Sequence, residues 1–252
     1  MSTSPTGSSS PRPADGTAAR QAKVTAGRYQ EPARRLLMPV LRSLWSAKVE
    51  GLENIPAEGP ALIAPNHISF IDSTFLLAIV PRRMLAVGKA EYMDSWKTRH
   101  LFPAIGMIPL DRTGGSASEA ALNQAAASLE NGDLFLIYPE GTRSRDGYLH
   151  RGRTGVVRLA LRTGAPIVPV GIRGTDAIQP PGAVMPKPFQ RCSFTFGPPI
   201  RTERYQGRTP TRALLRELTD ELMYEIGQLS GQTYVDTYGN ERKEESTAGA
   251  PT

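Results

Sequence analysis

His67 and Asp72 stand five residues apart in Pro65-Asn66-His67-Ile68-Ser69-Phe70-Ile71-Asp72. An imidazole held by a carboxylate through one ring nitrogen can take a proton from an alcohol through the other, which is general-base chemistry. The spacing constrains the backbone. On an α-helix five steps rotate about 500°, leaving the two side chains roughly 140° apart, so the pair meets only if the chain bends between them. A strand ending near Ala64, a turn through Pro65 and Asn66 and a helix starting around Ser69 or Ile71 supply that bend. They place His67 at the carboxyl end of the strand, the usual ligand-binding edge of α/β folds. A loop histidine next to a helix N-terminal aspartate, without a joint role, fits the same residues.

A second cluster follows a second apolar run. Asp133-Leu134-Phe135-Leu136-Ile137-Tyr138 reads as a strand that passes directly into Pro139-Glu140-Gly141-Thr142-Arg143-Ser144-Arg145. A polar, glycine-containing loop after a buried strand offers backbone NH groups and guanidinium forks that can seat a phosphate. Gly106-Met107-Ile108-Pro109-Leu110-Asp111-Arg112 also ends in an arginine just past an apolar run, and Arg153 with Gly155 precedes a helix. Each arginine alone is an ordinary solvated charge. Together they suggest an anion site beside a histidine base. The chain carries no G-x-S-x-G, Walker A, G-x-G-x-x-G or H-E-x-x-H pattern, so serine hydrolases, nucleotide-dependent kinases, dehydrogenases and zinc peptidases lose their usual signatures.

The elements that must position these residues alternate along the chain. Ala61 to Ala64, Met84 to Val87, Leu134 to Tyr138, Pro166 to Ile172 and Cys192 to Phe196 are short apolar runs bounded by Gly, Pro or Asn and predict strands. Between them, Ser116 and Glu119 form a capping box before an Ala-rich helix closed by Gly132, and Thr154 to Arg162 stops at Gly164. A last helix is predicted from Thr209 and Pro210, with Leu214, Leu218, Leu222, Glu225 and Leu229 near one stripe. Strands alternating with helices predict a layered α/β domain with a largely parallel central sheet.

Composition bounds the rest. Of the 252 residues 39% are hydrophobic and 21% charged, and the mean hydropathy is -0.31, which excludes a polytopic membrane protein and a wholly disordered chain. The net charge of +6 is concentrated in residues 20–48, where Arg20, Lys23, Arg28, Arg34, Arg35, Arg42 and Lys48 oppose Glu31 alone. Residues 1–30 read as a disordered leader without the apolar core of a signal peptide, and 231–252 as a polar tail. No run reaches the ~18 apolar residues of a membrane span. Residues 31–48 predict a basic amphipathic helix: Leu36, Leu37, Val40, Leu41, Leu44 and Trp45 sweep one face, Arg35 and Arg42 share the other, and Pro39 should kink it. Such a helix is the pattern of a membrane-interface anchor, the alternative being a helix packed on its own domain, residues 49–230. The single Cys192 excludes an internal disulfide. Nucleic-acid binding is not expected, because the basic residues line an apolar helix and do not interleave with stacking aromatics.

Taken in order, these pieces resemble one family, the glycerolipid acyltransferases typified by 1-acylglycerol-3-phosphate acyltransferase. The likeness runs from about Pro32 to Gln228. Its N-H-x-S-x-x-D motif matches Asn66 to Asp72, its E-G-T-R-S loop Glu140 to Ser144 and its V-P-V element Pro166 to Val170. In its second motif Gly106 and Arg112 align, while Pro109 stands where an aromatic is common. The resemblance implies that His67 is the general base on a glycerol hydroxyl and that Asp72 orients it. Arg112, Arg153 and the loop of Glu140, Gly141, Thr142 and Arg143 would bind the acceptor's phosphate, with Glu140 also reaching its hydroxyls. Transfer would be direct, without an acyl-enzyme on Cys192, a metal or a cofactor, from a thioester of coenzyme A or acyl carrier protein. A lysophospholipid acceptor would give the basic helix its role, holding the protein at the cytoplasmic face of a membrane. A different acceptor (glycerol 3-phosphate, another lysophospholipid or a glycolipid) and a non-catalytic membrane-surface protein are the alternatives.

Overall fold

The computed structural model describes residues 30–89, 106–110, 117–183, 185–205 and 209–239. The chain runs α1 (Gln30–Trp45), β1 (Lys48–Glu50), β2 (Ala61–Pro65), α2 (Asp72–Ile79), β3 (Met84–Lys89), β4 (Met107–Leu110) and α3 (Ala117–Glu130). It continues with β5 (Leu134–Leu136), β6 (Leu149–His150), α4 (Gly155–Thr163), β7 (Ile167–Arg173), α5 (Thr175–Ile178), β8 (Ser193–Phe196), α6 (Arg212–Ser230) and β9 (Tyr234–Val235). Among the described residues seven strands form one sheet in the order β1-β8-β7-β2-β5-β3-β4, parallel at every pairing except β7 with β8.

β2 is apolar at successive positions because both faces of the sheet are covered. Ala61 and Ile63 join a core with Leu41, Phe75, Leu76, Val168 and Phe194 on the α1 and α2 side. Leu62 and Ala64 face the opposite core, built with Leu129, Phe135, Leu159, Leu222 and Ile226 beneath α3, α4 and α6. Fully burying a side chain of this size contributes about 1.5–3 kcal/mol, so the two cores fix the sheet from both sides.

Pro169 lies inside β7, a place that usually rejects proline because a ladder NH is lost. The register explains it. Val170 pairs with Phe196 whereas Ile167 pairs with Ile200, so the segment leaving β8 carries one extra residue at Gly197-Pro198-Pro199. Pro169 sits opposite that bulge, where regular pairing is already interrupted, and its carbonyl accepts the Gly197 NH at 2.9 Å.

Several expected boundaries move. α6 opens at Arg212, with Thr211 as the cap whose hydroxyl accepts the Leu214 NH, and its buried stripe is Leu215, Leu218, Leu222 and Ile226, leaving Glu225 at the margin. β4 and the short strands β1, β6 and β9 were not among the strands expected from the sequence. β9 pairs with β6 (Leu149 with Tyr234, His150 with Val235), so the first part of the segment read as a polar tail packs on the domain. α1 ends at Trp45, continues through Pro39, and is joined to the main core through Leu37, Met38, Leu41 and Trp45. Ser116, half of the expected capping box, lies outside the described residues.

Gly171 of β7 lets α6 approach the sheet: a Cβ there would lie 2.4 Å from the Leu229 carbonyl carbon. Gly171→Ala is expected to destabilise the fold by about 1–3 kcal/mol through overpacking, read as a fall in the denaturant midpoint; an unchanged midpoint would mean that α6 can lift away freely.

Candidate active site

β7, β2 and β5 are neighbours and parallel, so their carboxyl ends lie side by side. The segments leaving them carry Thr175, His67 and Glu140. The turn after β2 is made possible by Asn66, whose side chain replaces the next rung of the ladder. Its Nδ2 donates to the Ile172 carbonyl at 2.9 Å, and its Oδ1 accepts the Ile172 NH at 2.7 Å. The backbone is thereby free to bend, and α2 begins at Asp72.

Asp72 is fully buried and folds back over the residues before it. Its Oδ2 accepts the NH groups of Ile68 (2.9 Å) and Ser69 (2.8 Å) and the Nδ1–H of His67 (2.9 Å). Its Oδ1 accepts the hydroxyl of Thr175 at 2.5 Å. A carboxylate only accepts, so the proton between it and His67 sits on Nδ1 and the Nε2 lone pair is left bare. Nε2 makes no hydrogen bond among the described residues, and 16% of the His67 side chain is open to solvent while Asp72 has none. The Tyr138 ring stacks on the imidazole, with centroids 3.8 Å apart and planes 19° from parallel. Its hydroxyl shares a 2.8 Å hydrogen bond with Ser73 Oγ. Burial and then the Asp72 charge hold the Tyr138 phenol well above its ordinary range, so it serves as a neutral wall.

Glu140 is placed differently from the sequence expectation. It is 1% exposed, and its carboxylate accepts the backbone NH of His67 through Oε1 (3.1 Å) and of His150 through Oε2 (3.0 Å). It ties two loops together through these amides. Burial pushes it up to about 7 against the pull of those two amides. The Ser144 NH donates to the His67 carbonyl at 2.7 Å, so the Glu140–Ser144 loop grips the His67 peptide from both sides.

The remaining expected residues surround this loop. Gly141 has φ 72°, and the Arg153 side chain lies across it: a Cβ at Gly141 would touch Arg153 Cδ and Nε at 3.0 Å. Arg143, half-buried, sets its guanidinium 5.9 Å from the Phe70 ring, and Thr142 is half-buried beside it. Tyr238 lies 5.0 Å beneath the Arg153 guanidinium, so residues read as tail reach the site. Arg112 lies outside the described residues. Beyond Ile68 and Ser144 opens a cleft of about 420 Å³ to which Arg145, Arg173 and Asp176 also contribute. Cys192 is buried, and burial and then Asp72 push its thiol up to about 11, which suits packing and not nucleophilic attack. Thr175 and Tyr138 were missed in the sequence reading. Both stand just past strand carboxyl ends, the usual ligand-binding edge, but without a partner at a telling spacing in the sequence.

The chain matches the family model described as Acyltransferase over residues 46–173. It is 31% identical over 170 residues to a chloroplastic 1-acyl-sn-glycerol-3-phosphate acyltransferase of Arabidopsis thaliana, covering 61% of this chain and 46% of that protein. It is 32% identical over 157 residues to a 1-acyl-sn-glycerol-3-phosphate acyltransferase of Limnanthes douglasii, covering 62% and 55%. The aligned part thus spans about half the length of these curated relatives. The solved structure of the 1-acyl-sn-glycerophosphate acyltransferase of Thermotoga maritima is similar with a TM-score of 0.55 at 24% identity, covering 96% of this chain and 86% of that one, a likeness of fold.

The tie made by Glu140 has a pH signature. Its folded value, about 7, lies above the unfolded 4.5. The folded state therefore binds the proton more tightly, and this group's contribution to stability falls as pH rises through that window. The stability of the wild type minus that of Glu140→Gln should shrink by up to about 3 kcal/mol between acid and mildly alkaline pH in denaturant titrations. A difference that stays flat or grows would contradict the burial of this carboxyl.

Proposed function

Because the chain belongs to the acyltransferase family, we propose that it moves a fatty acyl group from an acyl thioester to the free hydroxyl of 1-acylglycerol 3-phosphate, giving phosphatidic acid. The observation that carries this reading is the 2.9 Å bond from His67 Nδ1 to Asp72, which leaves Nε2 as a base at the strand edge. Nε2 takes the hydroxyl proton while the oxygen attacks the thioester carbonyl. The new C–O bond forms, the C–S bond breaks, and the thiolate leaves with the proton returned from the imidazolium. Asp72 offsets the charge on the ring during transfer, and the Tyr138 wall limits the ring's tilt.

Arg143, in the loop that grips His67, and Arg153, lying across Gly141 of that loop, are proposed to hold the acceptor's phosphate together with Arg112. The acceptor is supported by relatives named for 1-acyl-sn-glycerol-3-phosphate. The donor is a thioester of coenzyme A or acyl carrier protein, with no further cofactor. Among the described residues no helix is long and apolar enough to cross a membrane. We place the protein on the cytoplasmic face, attached to one leaflet from which it draws its lipid acceptor.

Purified protein incubated with a panel of lysolipids and labelled acyl thioesters on either carrier should yield phosphatidic acid by mass. A product from a different acceptor would replace this substrate assignment. His67→Ala should keep the fold by circular dichroism and lose about 10²–10⁴ in rate; retained activity would refute the base.

A further inference from the structure

The apolar face expected to anchor α1 in a membrane is largely used inside the protein. Leu37, Met38, Leu41 and Trp45 pack on the core, with the Trp45 ring 5.5 Å from that of Phe75. What α1 leaves outside is Leu36, 73% exposed, and Val40 one turn later. Leu44 continues this stripe at the same four-residue step. Its carbonyl accepts the NH of Phe189 at 2.7 Å, and Trp45 Nε1 donates to the Lys187 carbonyl at 2.7 Å.

These two bonds fix the segment from Met185 to Phe189 against the end of α1. Met185 and Phe189 are 76% and 79% exposed there. Phe189 has φ 61°, a conformation that bulky residues seldom adopt. The backbone thus holds an aromatic ring outward in a strained geometry.

Along the two segments that carry these side chains, residues 32–49 and 177–202, every charged residue is basic. Arg42, Lys187 and Arg191 are exposed, and the sequence has no Asp or Glu between Asp176 and Glu203 or between Glu31 and Glu50. Exposed apolar side chains on segments whose charges are all basic suit an anionic lipid surface, with the apolar groups in the acyl boundary and the cations at the headgroups. A second copy of this face would bring like charges together, which disfavours self-association. We propose that Met185–Phe189 is a second membrane contact that acts together with Leu36 and Val40 to seat the protein on anionic lipid. The proposal rests on the reading of a leaflet-attached lipid acyltransferase and adds where, outside the N-terminal helix, the leaflet is gripped.

The test is co-sedimentation with vesicles of phosphatidylcholine, with and without phosphatidylglycerol, for the wild type, a Met185→Ser/Phe189→Gly variant and a Leu36→Ser/Val40→Ser variant. The first variant should lower partitioning onto the anionic vesicles about tenfold or more. Its thermal midpoint should stay level or rise, because glycine accepts φ 61° without strain. Its acyl transfer to a short-chain, water-soluble acceptor should be unchanged. Partitioning unaltered in this variant but lost in the helix variant would overturn the second contact and leave attachment through α1 standing. A wild type that ignores anionic vesicles would overturn both. A wild-type dimer in analytical ultracentrifugation that the Met185/Phe189 variant abolishes, with vesicle binding intact, would assign the face to a second copy instead.

Discussion

Asp72 is a carboxylate without any surface open to water, and four donors converge on it: the ring of His67, the amides of Ile68 and Ser69, and the hydroxyl of Thr175. Burying such a group costs several kcal/mol unless its lone pairs are met. Each donor comes from a separate decision of the fold. The turn after β2 aims the two amides, the start of α2 brings the carboxylate back over them, and the adjacency of β7 to β2 delivers Thr175. Only with all of these in place is the tautomer of His67 fixed, and the chemistry follows from that tautomer.

Glu140 performs the equivalent task for the second loop. Two acids buried from solvent each gather backbone amides around the His67 peptide and hold it in one position. Around this held backbone, among the described residues, stand the His67 ring with its bare Nε2 and the cations Arg143, Arg145 and Arg153. Fixing the backbone with buried carboxylates and leaving the cations outside separates the positioning of the base from the binding of an anion, so the base need not move when a charged acceptor arrives.

The layered parallel sheet was legible because apolar runs and helical periods alternate along the chain. The His67–Asp72 pair was legible because helical geometry forbids its meeting without a bend. Glu140 stood out in the sequence because an acid in a glycine loop after a strand has the pattern of a ligand contact, while its tie to two backbone amides was not legible there. Its burial depends on the His150 amide, held in β6, a strand of two residues whose partner β9 lies far along the chain. Strands that short fall below the window in which alternation can be counted. The periodicity of α1 showed an amphipathic helix but not how much of its apolar face the core would claim; Trp45 turned inward because Phe75 and the Lys187 carbonyl meet it there. Thr175 and Tyr138 belong to no pattern that spacing alone can reveal, since what they touch is set by strand order.

The central claim concerns a single proton position, and nitrogen-15 NMR reads it directly. With three histidines in the chain, labelled protein and a His67→Gln difference spectrum isolate this ring at a pH where it is neutral. The structure requires one tautomer, protonated at Nδ1 with a bare, pyridine-type Nε2. A proton on Nε2, or a ring exchanging freely between both forms as in a solvated imidazole, would contradict the account.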